Sequence, residues 1–396
     1  MNSRFDQIVN RRGSGSYKWD SAQDGDVIPL WVADMDFRTA PVVVEALERR
    51  VAHGVFGYTL VGDDYYKALT EWFSTRHGYS FDRSQVIYTS GVVPAISAII
   101  KALVKPGDGV IVMTPVYNCF FSSIRNNGCV QIDCPLRRVD LPDGLFTYEI
   151  DFERFEQCAA RKDAAMFLLC NPHNPAGRIW KRSELARIAE ICRRHGVRVV
   201  SDEIHCELTA PCSSYVPYGP VDADVNRDNP QAIVCLSPSK AFNTAGLQIA
   251  NIVCPDEDVL ALVDRAININ EVCDVNPFGV EALKASYTPE GEAWLTELRD
   301  YIWDNYRFTL ETLRGELPQC PVSVLEATYL PWVDVSSLGI PAEELEEILT
   351  REAKVWVNCG EMYGAGGYIR LNIACPREIL AEGLRRLTGW IHAHCS

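Results

Sequence analysis

The 396 residues hold 38 Lys+Arg against 53 Asp+Glu, a formal charge of −15 that repels polyanions with no basic cluster to offset it, so nucleic acid is not an expected partner. At 47% hydrophobic content the chain can bury a large core, yet no uninterrupted apolar run is long enough to span a bilayer, and no membrane association is expected. The first twenty residues, MNSRFDQIVNRRGSGSYKWD, lack the apolar centre of a secretory signal, so the expected location is cytoplasmic.

In chain order, the stretch PVVVEALERRVAHG predicts a helix with Pro41 in its first turn, Val44, Leu47 and Val51 on one face, and Gly54 as its stop. Short, almost wholly apolar strands follow: VIYT (86–89), VIVMT (110–114), VQIDC (130–134), AMFLLC (165–170), VRVVSD (197–202), AIVCLS (232–237) and IANIVC (249–254). Alternating with helices, they read as an α/β domain whose mainly parallel sheet of seven strands is covered on both faces. SELARIAEICRRHG predicts one covering helix, with Ser183 as N-cap and Gly196 as C-terminal stop. Beyond about residue 285 a longer helical stretch precedes YLPWVDV, AKVWVN and YIRLNI, strands of a smaller α+β domain. The expected division is an N-terminal segment over 1–40 joining the small domain, a large domain over 41–284 and a small domain over 285–396. Fifteen cysteines contain no C-x-x-C pair and scatter through apolar runs, so they read as reduced core residues, with no metal site expected.

Ligands of an open parallel sheet bind at the carboxyl ends of its strands, and four unusual features fall there. Gly91, Val92 and Val93 follow VIYT and precede a helix with Pro94 in its first turn, where free backbone N–H groups suit a phosphate. NPHNPAG follows AMFLLC, Asp202 ends VRVVSD, and Lys240 follows AIVCLS within SPSKAFN. Each alone has a plain reading as a helix start, a proline-rich loop, an acidic strand end or a surface lysine. Together they supply what pyridoxal 5′-phosphate requires: an amine for its aldehyde, an acid for its ring nitrogen and donors for its phosphate.

The sequences D-E-I-H (202–205), N-P-H-N-P-A-G (171–177) and S-P-S-K (237–240) resemble the fold-type I pyridoxal-phosphate enzymes that include aspartate aminotransferase. KWD (18–20), WVADMDF (31–37), FGYT (56–59), SGVVPAI and SKAFN narrow the resemblance to the MalY/PatB type of cysteine-S-conjugate β-lyase. The resemblance implies that Lys240 carries the cofactor and shuttles the Cα proton, that Asp202 pairs with the pyridine nitrogen, and that Asn174 and His205 donate to the ring's edge. It implies Tyr117 stacked on the ring face, Ser237 and Ser239 beside the phosphate, Arg370 on the substrate α-carboxylate, and Tyr58 reaching the phosphate of a neighbouring subunit in a homodimer. Many aminotransferases have Tyr where this chain has His205 and Arg where it has Gln248; the glutamine leaves the phosphate to hydroxyls, helix N–H groups and Tyr58.

The implied reaction is β-elimination from an L-cysteine S-conjugate, cystathionine being one, to pyruvate, ammonia and a thiol. An aminotransferase on the same scaffold is the alternative. A pyridoxal-phosphate-sensing transcription regulator is disfavoured because the chain starts almost at once with the small-domain segment. The glycine clusters GSG (13–15) and GAGG (364–367) follow no strand as a nucleotide-binding G-x-G-x-x-G would, and GAGG reads as a flexible loop before the Arg370 strand, near the substrate mouth.

Overall fold

Every second residue of the central strands belongs to one of two separate cores. Val110, Val112, Met166, Leu168, Val200, Ile233 and Cys235 pack with one set of helices, while Ile111, Phe167, Leu169, Val199, Val234 and Leu236 pack with another. A strand's side chains alternate between faces, so a sheet buried on both must be apolar throughout, which is why these segments carry no polar alternation. The structure is a computed structural model and describes residues 3–22, 24–269, 271 and 274–395.

The sheet has seven strands in the order Val86–Thr89, Ala250–Val253, Ile233–Leu236, Arg198–Asp202, Ala164–Cys170, Gly109–Val112, Val130–Asp133. All seven expected strands are present. Ala250–Val253 runs antiparallel to both neighbours, and the other pairs are parallel. Register places Cys170, Asp202 and Cys235 side by side, so three strand ends and the loops after them open onto one place. Helix Val92–Leu103 begins there and covers one face through Val92, Ala95, Ile96, Ile99 and Ile100. Helix Arg182–His195 covers the other through Leu185, Ile188 and Ile191.

Local signals held at most ends and failed at two points. Pro41 opens the helix Pro41–His53, and Gly54 closes it in the left-handed conformation with φ 75°. Its buried face, however, is Val43 and Ala46, while Val51 is 57% exposed, because the helix packs on the helix Pro277–Ser286 along a neighbouring stripe. Helix Arg182–His195 starts one residue ahead of Ser183: the Lys181 N–H donates to Glu184 Oε2 at 2.7 Å, so a glutamate closes the first turn in place of a serine cap.

A second sheet of six strands includes Trp332–Asp334, Asn358–Cys359 and Tyr368–Arg370 together with the hairpin Arg137–Leu141 and Leu145–Glu149. The sequence pattern did not announce that hairpin. The 28-residue helix Pro289–Glu316 precedes these later strands. Ile28–Pro29 pairs in parallel with Val355–Trp356, tying the chain's first segment to its last third. Among the described residues, fourteen cysteines are free thiols, Cys273 lies outside those residues, and no helix is long and apolar enough to cross a membrane.

Ile99 is fully buried where helix Val92–Leu103 meets the sheet. Ile99→Ala should cost about 2–5 kcal/mol of stability. Urea unfolding at unchanged m-value is the measurement, and a loss below about 1 kcal/mol would mean that the site collapses around the smaller side chain.

Candidate active site

The loops at the aligned strand ends enclose a cavity of ≈ 560 Å³ whose walls include Gly91, Val92, Val93, Tyr117, Asn174, Asp202, His205, Ser239, Lys240 and Arg370. Ten of the twelve residues singled out from the sequence therefore meet in one place. Ser237 stands behind the wall, its Oγ 2.9 Å from that of Ser239 and 2.7 Å from the Ile249 carbonyl. Tyr58 is 96% exposed and does not line the cavity.

The phosphate end is built from backbone. The helix begins at Val92 with Gly91 as its N-cap, so Pro94 lies in the first turn as expected, while Val92 and Val93 are its first two residues and do not precede it. Ser90, Gly91, Val92 and Val93 all face the space, which presents unpaired first-turn N–H groups to an anion. Gln248 lines the same end, where it offers an amide and no charge.

Burial sets the charges. The Asp202 side chain is almost fully enclosed and, among the described residues, its carboxylate accepts the Ile204 N–H alone, at 3.1 Å. Desolvation raises its carboxyl to about 7, against the pull of that N–H and of the Lys240 charge. Lys240 is shifted the other way, below the ordinary lysine range, by burial first and the Arg370 charge second. Its Nζ donates to the Ala33 carbonyl at 2.6 Å. Burial likewise lowers His205 to about 3, so its ring is neutral, and its Nδ1 is buried without a partner. Glu203, next to Asp202, is pushed up to about 8 by burial and stays protonated near neutral pH, so it adds no second negative charge. It is held by the Ser201 hydroxyl at 2.8 Å, the Tyr218 N–H at 2.9 Å and the Tyr215 hydroxyl. Burial, with Cys119 beside it, holds the Tyr117 phenol well above its usual range.

Arg370, buried in the strand Tyr368–Arg370, donates from Nη1 to Asn174 Oδ1 at 3.2 Å and from Nη2 to the Trp31 carbonyl at 3.0 Å. Its Nε is buried without a partner, and its guanidinium lies 4.6 Å from the Tyr363 ring centre. A buried guanidinium with an open donor edge suits a carboxylate.

A strap over residues 31–37 closes one side, and its carbonyls are nearly all claimed. Trp31 accepts from Arg370 and Asn358, Ala33 from Lys240 and Tyr329, and Met35 and Phe37 from Asn243, each at 2.9 Å. Beneath it the Asp36 carboxylate receives Lys18 Nζ at 2.8 Å, Arg11 Nη1 at 2.7 Å and Trp19 Nε1 at 2.7 Å. KWD and WVADMDF thus lock together, a contact that sequence reading recognised only as a family marker. It also missed Tyr17, Trp31, Cys119, Met362 and Tyr363 as wall residues; Met362 and Tyr363 sit just before GAGG, the one sequence signal pointing to them. GAGG itself is tied down, Val335 N–H donating to the Gly367 carbonyl at 2.9 Å.

The donor set fits pyridoxal phosphate on the structure's own terms. An amine and a carboxyl, each shifted by burial toward its neutral form, line one cavity with the unpartnered nitrogens of His205 and Arg370 and with the helix N–H groups after Gly91. The profile of the aminotransferase class I and II family matches residues 25–387. Cystathionine β-lyase PatB of Bacillus subtilis (strain 168) is 37% identical over 97% of this chain and 98% of its own. Protein MalY of Escherichia coli (strain K12) is 33% identical over 98% and 99%. Cystalysin from Treponema denticola, solved with a pyridoxal 5′-phosphate cofactor, superposes with a TM-score of 0.93 at 31% identity, covering 99% of this chain and 100% of its own.

Because Asp202 is held above its unfolded value, the folded cofactor-free protein keeps a proton that the unfolded chain loses. The associated stability is present at about pH 4 and is lost as pH rises through about 7. Cofactor-free Asp202→Asn should escape this loss and gain on cofactor-free wild type by up to about 4 kcal/mol between pH 4 and 8. Urea unfolding across that range is the check, and a constant gap would mean that the carboxyl is not raised. With this strand-end cavity, its lysine and acid, and full-length likeness to two such proteins, the chain belongs to the aminotransferase class I and II family, in its MalY/PatB cystathionine β-lyase branch.

Proposed function

We propose that this chain is a cytoplasmic, homodimeric carbon–sulfur β-lyase that uses pyridoxal 5′-phosphate to split L-cysteine S-conjugates, the class that includes L-cystathionine. The convergence of Lys240, Asp202 and Arg370 on one cavity carries the reading. When bound, pyridoxal phosphate supplies an aldehyde for amines and a protonated ring that withdraws electrons. The balanced reaction is R–S–CH₂–CH(NH₃⁺)–COO⁻ plus water giving R–SH, pyruvate and ammonium. The division into segment 1–40, large domain 41–284 and small domain 285–396 belongs to the same proposal.

Lys240 would hold the cofactor's aldehyde through an amine whose pKa burial lowers. Its free amine would take the proton from the substrate's Cα. Asp202 would pair, as a carboxylate, with the pyridine nitrogen and so keep that nitrogen protonated. Asn174 spends its Oδ1 on Arg370, and its amide N–H groups serve the ring oxygen. Neutral His205, on the loop after Asp202, would flank the ring, and Tyr117 would supply a stacking face. Arg370 fixes the α-carboxylate, and so orients the Cα–H bond. Ser237, Ser239 and the N–H groups after Gly91 hold the phosphate.

The likeness to lyases supports elimination over amino transfer. L-Cystathionine or another conjugate should yield pyruvate, ammonia and thiol in equal amounts with no keto acid added, and Lys240→Ala should yield none. Pyruvate that forms only with an acceptor such as 2-oxoglutarate would make the enzyme an aminotransferase.

A second subunit is supported by Val51, Val55, Phe56, Tyr58 and Leu60, all more than half exposed in one short stretch. Such a stretch is covered in a stable oligomer, and Tyr58 then serves the partner's phosphate. Mixing inactive Tyr58→Ala with inactive Lys240→Ala under subunit exchange should restore activity, since one hybrid site has both residues. No recovery despite demonstrated exchange would return Tyr58 to its own chain or to none.

A further inference from the structure

We infer that Tyr17 and Trp31 form a subsite for the sulfur substituent, built for an aromatic or extended apolar group, so that conjugates of such thiols are preferred to those whose thiol half carries a second carboxylate. The inference rests on the β-elimination reading and adds to it the class of thiol released.

The position follows from Arg370. With the α-carboxylate on its guanidinium, the substrate lies against Trp31, whose carbonyl accepts from Arg370 Nη2 at 3.0 Å. The Trp31 ring lines the cavity and is fixed from behind: it stacks on Trp356 with centroids 4.2 Å apart and planes 8° apart, and its Nε1 donates to the Lys18 carbonyl at 3.2 Å. Tyr17 extends this wall, its ring 5.2 Å from that of Trp31 and tilted by 53°.

Tyr17 is 71% exposed, yet the next two residues are buried. Lys18 and Trp19 both bond Asp36, which pins the short helix Tyr17–Asp20 and leaves Tyr17 presented outward from a rigid base. Its phenol makes no hydrogen bond to any described residue. Met362, 38% exposed, lines the same cavity. A preorganised aromatic face loses little entropy when a flat or apolar group covers it.

The charges point the same way. Among the described wall residues the cations are Lys240 and Arg370, both committed to the cofactor and the α-carboxylate, and His205 is neutral. Asp34, the acid nearest Trp31 in the chain, is already paired with Arg11 at 2.7 Å. Among the described wall residues of this chain the second carboxylate of L-cystathionine therefore meets no free cation, and desolvating it against Tyr17 and Trp31 is unfavourable. A benzyl or long alkyl sulfide meets aromatic surface.

The test compares kcat/KM of the holoenzyme for S-benzyl-L-cysteine, L-cystathionine and β-chloro-L-alanine, which has a leaving group but no sulfur substituent. S-Benzyl-L-cysteine should exceed L-cystathionine by about tenfold or more. In Tyr17→Ala the ratio of S-benzyl-L-cysteine to β-chloro-L-alanine should fall about threefold to tenfold, chiefly through KM, and Tyr17→Phe should restore it. The analogue 3-(benzylthio)propionate, with no amine to react, should lose affinity for Tyr17→Ala holoenzyme by the same factor in calorimetry. Should Tyr17→Ala misfold, Trp31→Leu read by the same ratio takes its place. L-Cystathionine turned over faster than S-benzyl-L-cysteine, or a ratio unmoved by either variant, overturns the subsite while pyruvate from β-chloro-L-alanine leaves the lyase standing. No pyruvate from β-chloro-L-alanine overturns the lyase reading itself.

Discussion

The Asp36 carboxylate is the point on which the site's geometry turns. It is buried and receives three donors, from Lys18, Arg11 and Trp19. Lys18 is itself fully buried and its next carboxylate, Asp34, lies at 3.8 Å, so removing Asp36 leaves a buried ammonium poorly paired, a loss of about 3–5 kcal/mol in comparable cases. What this pair holds is the strap above it. The strap's carbonyls orient Lys240 and Arg370, and its tryptophan forms the wall beyond them. Two residues far apart in the chain are thereby aimed from one rigid segment.

The second constraint is the low polarity of the enclosed strand ends. Burial raises Asp202 and Glu203 and lowers Lys240 and His205, each toward its neutral form. A cavity of that kind is poorly solvated until a ligand brings opposite charge. A cationic ring bound there would restore the Asp202 carboxylate, and an anionic phosphate would meet the helix N–H groups after Gly91. Glu203 is kept out of this exchange by its own donors and its proton, which leaves Asp202 as the charge available to the ring.

The sheet explains why these groups meet. Its double burial demands unbroken apolar strands, so polar side chains can appear only where strands end. Asp202 stands at such an end, level with Cys170 and Cys235, and Asn174 and Lys240 follow on adjacent loops. Helix Val92–Leu103 begins at the same edge because the chain crosses from Val86–Thr89 at one margin of the sheet to Gly109–Val112 near the other.

Much of this was legible in the sequence, because it is written in local chemistry. Apolar runs set the seven strands, glycines ended helices at 54 and 196 where φ turns positive, and residue types at strand ends marked Asp202, Asn174 and Lys240. Such signals act over a few residues, so one chain suffices to read them. Tertiary structure decided the rest. That Val43 and not Val51 is buried depends on which helix lies alongside, and that residues 137–149 pair with a strand near 322 depends on partners almost two hundred residues away. The clamp of Lys18 on Asp36, the Trp31–Trp356 stack and the orphaned nitrogens of His205 and Arg370 exist only after distant segments meet. Periodicity carries no information about such contacts, since the energy that selects them is shared between groups that the sequence keeps apart.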